Sequence, residues 1–141
     1  MKKDYISKEG FLKLKKELTI LLRKDRPEVL DIVSWAASNG DRSENGDYIY
    51  GKKKLREIDK RIRYLTKKID SLIVVDIADQ VGNQSIFFGA TVEFMRNDSS
   101  TEQIVIVGSE ETKHKKGFIS WNSPIARALL NHKTGDIVRV E

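Results

Sequence analysis

The sequence predicts an α+β protein in two parts, an N-terminal antiparallel α-helical coiled-coil hairpin over residues 1–75 and a small α+β domain over residues 76–141. Three observations lead there. Leu55, Ile58, Ile62, Leu65, Ile69 and Leu72 follow a 3,4,3,4,3 spacing, a heptad seam that needs a partner helix. After Val75 the apolar pattern shifts from helical to strand-like runs. The charge divides at the same place: residues 1–75 carry 19 Lys and Arg against 12 Asp and Glu, a net of +7, whereas residues 76–141 carry 7 against 9, a net of −2.

The first helical segment runs from Ser7 to about Asn39. Phe11, Leu14, Leu18, Leu21 and Leu22 recur at spacings of three and four, and Ser7 followed by Glu9 reads as a cap with acid in the first turn. The stripe falters at Asp25-Arg26-Pro27 and resumes at Val29, Ile32, Val33 and Ala36. An interior proline costs a helix about 3 kcal/mol, so the residues alone allow a kink or two separate helices. Residues 39–47 (NGDRSENGD) are rich in turn formers and short enough to require an antiparallel return onto the second segment. At 1.5 Å per residue, helices of about 30 residues make a hairpin on the order of 45 Å long.

In the second part, residues 86–95 (IFFGATVEFM) and 103–107 (QIVIV) read as strands joined across a loop at 96–100. Gly117 to Trp121 reads as a third short strand. Ser123-Pro124 places a capping residue before proline and opens a helix over Ile125–Leu130. Thr134-Gly135-Asp136 then turns the chain into a last strand, Ile137–Val140.

Composition narrows the classes. The chain has 141 residues, 39% hydrophobic and 33% charged, which suits one modest core plus an extended polar element. It has no cysteine, which removes disulfides, thiolate metal sites and cysteine nucleophiles. Neither a signal-peptide core nor a run of roughly 18 apolar residues is present, so the expectation is a soluble cytoplasmic protein without a membrane partner. The net charge of +5 hints only weakly at a polyanionic partner.

Three groups of residues could carry chemistry. At the turn, Asp41 and Glu44 stand three residues apart, with Asp47 three further on, amid positive charge. Oxygen donors at an exposed turn suit a hard cation such as Mg²⁺, whose remaining ligands would come from a partner. On bare composition the commoner explanation is an ordinary interhelical turn with acids favouring a helix dipole. The second group is basic: Lys52, Lys53, Lys54, Arg56, Lys60, Arg61, Arg63, Lys67 and Lys68, nine bases relieved only by Glu57 and Asp59. Because the seam occupies 55, 58, 62 and 65, these bases take the outer faces, as a track for a DNA or RNA phosphate backbone or as a solvated surface; the two readings stand level. Third, Tyr48, Tyr50 and Trp35 could stack on bases, but packing across the hairpin is the favoured reading. His114 and His132 lie in polar loops with no telling neighbour, and the sequence has no phosphate loop or nucleophile elbow.

Residues 34–48 (SWAASNGDRSENGDY), continuing through 53–66 (KKLREIDKRIRYLT), closely resemble the Gre transcript cleavage factors, with the Trp35 context and the basic second helix similar to the GreB branch. Residues 119–130 (ISWNSPIARALL) resemble the C-terminal domain of the same family. The Arg26-Pro27-Glu28 interruption also resembles the family, which favours one long kinked helix.

The resemblance implies that the coiled coil enters the secondary channel of RNA polymerase while a C-terminal domain similar in fold to the FKBP prolyl isomerases docks at the channel rim. Asp41 and Glu44 match the family's acidic tip pair, which would share a Mg²⁺ with the polymerase active centre and assist hydrolysis of backtracked nascent RNA at its extruded 3′ end. No cofactor is then expected on the chain alone. Ser43 would position a nearby group, and Lys52, Lys53, Arg56 and Lys60 would hold the extruded RNA. The chain is then an activator of the polymerase's own endonuclease and not an enzyme itself. Two departures stand out. Gly46 replaces the family's usual alanine, and glycine there loosens the tip by about 0.5–1 kcal/mol. Relatives also continue beyond residue 141 through a further turn and closing strand, which would leave an open edge in the C-terminal sheet. Competing readings are a channel-binding regulator that does not promote cleavage, a general basic nucleic-acid-binding coiled coil, and, by fold analogy only, a prolyl isomerase. A monomer is expected, because an intramolecular hairpin already satisfies the seam.

Overall fold

The computed structural model describes residues 3–40 and 44–140. The element order is β1 (Tyr5–Ser7), α1 (Lys8–Ile20), a π-helical turn (Leu21–Asp25), α2 (Arg26–Ser38), α3 (Gly46–Ser71), β2 (Ile73–Val75), a 3₁₀ turn (Ile77–Gln80), β3 (Thr91–Met95), β4 (Thr101–Val107), a 3₁₀ turn (Ser109–Glu111), β5 (Phe118–Ser120) and α4 (Pro124–Leu129). The class is α+β, with a long helical hairpin followed by a small sheet domain. Contacts divide the chain into two compact units, Met1–Phe11 with Leu72–Glu141, and Leu12–Ser71.

The helical unit answers the proline question. The chain runs helically from α1 through the π turn into α2, and the Arg26 N–H reaches back to the carbonyl of Leu21, five residues earlier. Proline lacks an N–H and its ring crowds the carbonyl four residues before it, so a widened turn ahead of Pro27 accommodates what a regular helix cannot. The extra residue also changes the helix phase. Continuing the heptad from Leu18 and Leu21 would direct residues 25, 28, 32 and 35 inward. Asp25 is half-buried in either phase, but beyond it the residues that turn inward are Val29 and Val33, both half-buried, and the fully buried Ala36. Ile32 and Trp35 are rotated out to solvent, as is Leu22. The expected placement of Ile32 and Leu22 on the apolar face is thereby corrected: a stripe with continuous phase cannot cross a π insertion.

α3 keeps the predicted seam. Ile58, Leu65 and Leu72 are buried, and Leu55, Ile62 and Ile69 are half-buried. Gly51 also belongs to it, for a Cβ there would lie 2.7 Å from Cγ2 of Val33, so glycine permits the close approach of α2 and α3. Ion pairs tie the hairpin, among them Arg26 Nε to Asp59 Oδ1 at 2.8 Å and a two-pronged contact from Arg61 Nε and Nη2 to Glu17 at 2.7 and 2.9 Å. Both are partly exposed and set register more than stability.

In the other unit, β1 pairs in parallel with β2, Ile6 opposite Val74. β3 pairs antiparallel with β4, and β4 in parallel with β5, giving the order β3-β4-β5. Ala90, Val92, Ile104, Ile106, Ala126 and Leu129 form the core. Ser123 caps α4 by accepting the Ala126 N–H, with Pro124 in the first turn, as expected. Two strand expectations are corrected. The segment before Thr91 is not strand: Gly89 has φ 91° and turns the chain, while Ile86 exchanges backbone hydrogen bonds with His132 and Asn131. Ile137–Val140 forms no strand either, and Ile137 is 98% exposed. An alternating pattern gives strand propensity, but a strand also needs a ladder partner, and this segment has none among the described residues. β3 pairs on one side only, and a groove of about 1020 Å³ runs along it, lined by Phe87, Val92, Phe94, Leu129 and Val138 among others.

Candidate functional site

The turn between α2 and α3 is organised by a single side chain. Asn45 Oδ1 accepts the Tyr48 N–H at 3.1 Å, capping α3, while its Nδ2 donates to the Ala36 carbonyl at 2.6 Å across the hairpin. One residue therefore satisfies a donor at the start of α3 and an acceptor at the end of α2. Gly40, with φ 122°, takes a conformation that side chains rarely adopt, where the chain leaves α2. Sequence reading counted Asn45 only as a turn former. The signal available was its position immediately before Gly46-Asp47-Tyr48, where an N-cap belongs.

Asp41, Arg42 and Ser43 lie outside the described residues, so of the predicted acidic pair the structure places Glu44. It is solvent-exposed immediately before the Asn45 cap, and Asp47 is exposed in the first turn of α3. Gly46 is also exposed, with open space around its Cα and no positive φ. Among the described residues no three His, Cys, Asp or Glu side chains come together to hold a metal. Glu44 is a hard oxygen donor, accessible and next to the Asn45 cap, and could serve as one ligand of a hard cation.

Behind the tip, Lys53, Lys54, Arg56 and Lys60 are exposed and Lys52 is half-buried. None of these five has an ion-pair partner among the described residues. Arg61, by contrast, is held by Glu17 and lies 5.2 Å from the Tyr64 ring centroid, and Lys68 lies 5.8 Å from the same ring. The basic run thus splits into a tip-proximal group that is available and a distal part in which Arg61 and Lys68 are engaged with the hairpin surface. The aromatics depart from expectation. Tyr48 is half-buried, but Trp35 is 59% and Tyr50 68% exposed, so these two do not pack across the hairpin.

A second polar cluster, unmarked by sequence reading, lies where β1 meets α1. Glu111 is 3% exposed and accepts the N–H groups of Ser7 and Gly108, at 3.0 and 2.8 Å, together with the Ser7 hydroxyl. Ser7 Oγ in turn accepts the Gly10 N–H at 3.0 Å, the cap predicted for α1. A Cβ at Gly10 would meet Oε1 of Glu111 at 2.2 Å, and one at Gly108 would meet the Tyr5 carbonyl at 2.2 Å. Asp4 extends the cluster, accepting from Trp121 Nε1 at 2.9 Å and from the Ser109 hydroxyl at 2.7 Å. Every buried donor here is answered, which is the signature of structure and not of a reactive site. His132 Nδ1 lies 3.2 Å from Asp136, a turn contact, and Asp136 titrates below its ordinary range because the Lys133 N–H and His132 stabilise its charged form.

Comparison with known proteins matches the same segments. Residues 4–74 match the family model described as "Transcription elongation factor, N-terminal", and residues 81–141 match "Transcription elongation factor, GreA/GreB, C-term". The chain belongs to the GreA/GreB family of transcription elongation factors. It is 49% identical over 136 residues to the transcription elongation factor GreB of Neisseria meningitidis serogroup B, covering 96% of this chain and 83% of that one. It is 47% identical over 140 residues to GreB of Haemophilus influenzae, covering 99% and 88%, and 48% identical over 141 residues to GreB of Vibrio vulnificus, covering 99% and 88%. Among solved structures, the transcription factor Gfh1 has a similar fold, with a TM-score of 0.51 at 20% identity over 99% of this chain and 89% of that one. Among the described residues no helix is long and apolar enough to cross a membrane.

Proposed function

We propose that this elongation factor acts on cytoplasmic RNA polymerase as a monomer, entering the secondary channel hairpin first and stimulating Mg²⁺-dependent cleavage of backtracked nascent RNA. The observation that carries the reading is the tip: an exposed Glu44 beside a capped helix start, followed within three turns by bases with no ion-pair partner among the described residues. In this reading the chain is not an enzyme by itself but activates the polymerase's endonucleolytic activity.

The chain's residues divide the work. Asn45 caps the start of α3, so that Glu44 is presented beside a fixed helix end. The carboxylates of Asp41 and Glu44 hold and orient the attacking water and accept its hydrogen bonds, with Ser43 positioning a neighbouring group. Asp41 and Glu44 would share a Mg²⁺ with the polymerase active centre, which would supply Lewis-acid polarisation of that water and of the phosphate. Lys52, Lys53, Arg56 and Lys60 hold the phosphates of the extruded RNA, a contact that weakens with salt.

The test is RNA release from purified, stalled and backtracked elongation complexes in Mg²⁺. The chain is expected to shorten the RNA and leave a 3′ hydroxyl that the polymerase extends when nucleotides are added. Channel occupancy without shortening would replace this reading by that of a regulator that does not promote cleavage.

A further inference from the structure

Trp35 and Tyr50 are large rings that the fold leaves in water, and the heptad shows that they share one flank. With Leu55 at position a of α3, Tyr50 takes c while Lys54 and Arg61 take g. With Val33 at a and Ala36 at d of α2, Trp35 takes c and Ile32 takes g. In an antiparallel pair the g positions of both helices border the same side, as the Glu17–Arg61 ion pair demonstrates directly. Asn45 bonding to Ala36 and Gly51 abutting Val33 fix the level, so the two rings stand within about one helical turn of each other along the hairpin. Ile32, on the same flank, is 51% exposed. Neither ring has a stacking or hydrogen-bonding partner for its side chain among the described residues. The π turn causes this: without its extra residue Trp35 would point into the seam.

We propose that Trp35 and Tyr50 form a stacking platform for unpaired bases of single-stranded RNA. The charge pattern selects this occupant. Lys53 and Lys54, three and four residues beyond Tyr50, border the platform, and Arg56 and Lys60 extend the positive track over the outer face of α3. The flank itself carries Asp47, Glu57 and Glu28 beside Lys54, and its Arg61 is held by Glu17, so it offers phosphates less attraction than the outer face of α3 does. A strand whose backbone follows the lysines therefore turns its bases onto the rings, a contact that every base can make through its π face. The inference rests on the cleavage reading above, which brings extruded RNA to this hairpin, and adds the residues that hold its bases.

The experiment compares wild type, Trp35→Ala with Tyr50→Ala, and Trp35→Phe with Tyr50→Phe on complexes backtracked by one nucleotide and by several, with the affinity for polymerase lacking RNA measured in parallel. The alanine pair is expected to lose about tenfold or more in cleavage efficiency on the longer extruded segments and little on the shortest, while the phenylalanine pair keeps the activity. Affinity for RNA-free polymerase should stay unchanged. Equal cleavage by wild type and the alanine pair at every length would overturn the platform while leaving the cleavage reading intact. A loss shared by all lengths together with weaker binding to RNA-free polymerase would also overturn it, assigning the rings to a protein surface. Absence of cleavage by wild type itself would instead remove the reading on which the platform rests. Because both rings are exposed, helical circular dichroism should be the same in all three proteins, and a phenylalanine pair as inactive as the alanine pair would equally count against stacking.

Discussion

Carboxylates in two regions of this molecule are treated in opposite ways. At the β1–α1 junction Glu111 is buried and fully answered by Ser7 and Gly108, and two glycines leave room for it. At the hairpin turn Glu44 and Asp47 are exposed, while the neighbouring Asn45 is committed to the fold. A buried charge that accepts several hydrogen bonds holds a structure together, whereas an exposed one beside a rigid cap is available to something else. The difference separates the acidic residues that make the fold from those that can serve the function.

The sharpest way to break this comparison is at Glu111. Glu111→Ala would leave buried N–H groups of Ser7 and Gly108 without acceptors and should destabilise the protein by about 3 kcal/mol in denaturant unfolding. Glu44→Gln should change stability by less than about 0.5 kcal/mol. If the two substitutions cost the same, the division between structural and available carboxylates fails.

Between these extremes lies Asn45. Removing its cap and its bond to Ala36 with Asn45→Ala should cost about 1–2 kcal/mol and lower cleavage stimulation, because Glu44 then loses its fixed backbone. Asn45→Asp separates the two roles: the cap acceptor survives, but the donor to Ala36 is lost. Thermal unfolding and RNA cleavage measured on the same preparations check both.

How far this was legible in the sequence depends on how local the cause was. The α3 seam follows from residues three and four apart, and the Ser7 and Ser123 caps from one residue and its successors, so all three could be read directly. The π turn could not, since Pro27 announces a disturbance without saying whether the helix breaks, kinks or gains a residue. That choice sets the phase of everything up to Ser38, and with it the exposure of Trp35, which was expected to pack. Glu111 pairs with a residue 104 positions away, and no pattern along the chain marks it. Ile137–Val140 failed for the reverse reason, because its alternation is a local signal for a partner that the fold does not supply. At the site, residue types and spacing singled out Glu44 and the lysines, but only the structure distinguishes Lys53 and Arg56, which have no ion-pair partner among the described residues, from Arg61, which is engaged.

Smaller effects sharpen the picture of the tip. Gly46 has open space around it and an ordinary φ, so Gly46→Ala should stabilise the protein by about 0.5–1 kcal/mol, visible as a higher Tm. It should also raise cleavage stimulation if a stiffer helix start holds Glu44 better. The smallest expected effect lies in the other unit. Asp136 is held below its ordinary value of 3.8 by the Lys133 N–H and His132. A depressed carboxyl stabilises the folded form fully above that value, and the contribution disappears as pH falls through the depressed one. An NMR titration of the Asp136 carboxyl carbon should show a midpoint below 3.8, and Lys133→Pro, which removes the donor N–H, should raise it.

The most direct test of the central claim separates binding from cutting at the tip. Asp41→Asn combined with Glu44→Gln keeps shape and removes both charges. The doubly substituted chain should bind polymerase as wild type does, and compete with it, while its stimulation of RNA cleavage in backtracked complexes falls by about 100-fold or more. Full cleavage by that variant would contradict the account, since the two carboxylates would then be no more than the polar residues of a turn.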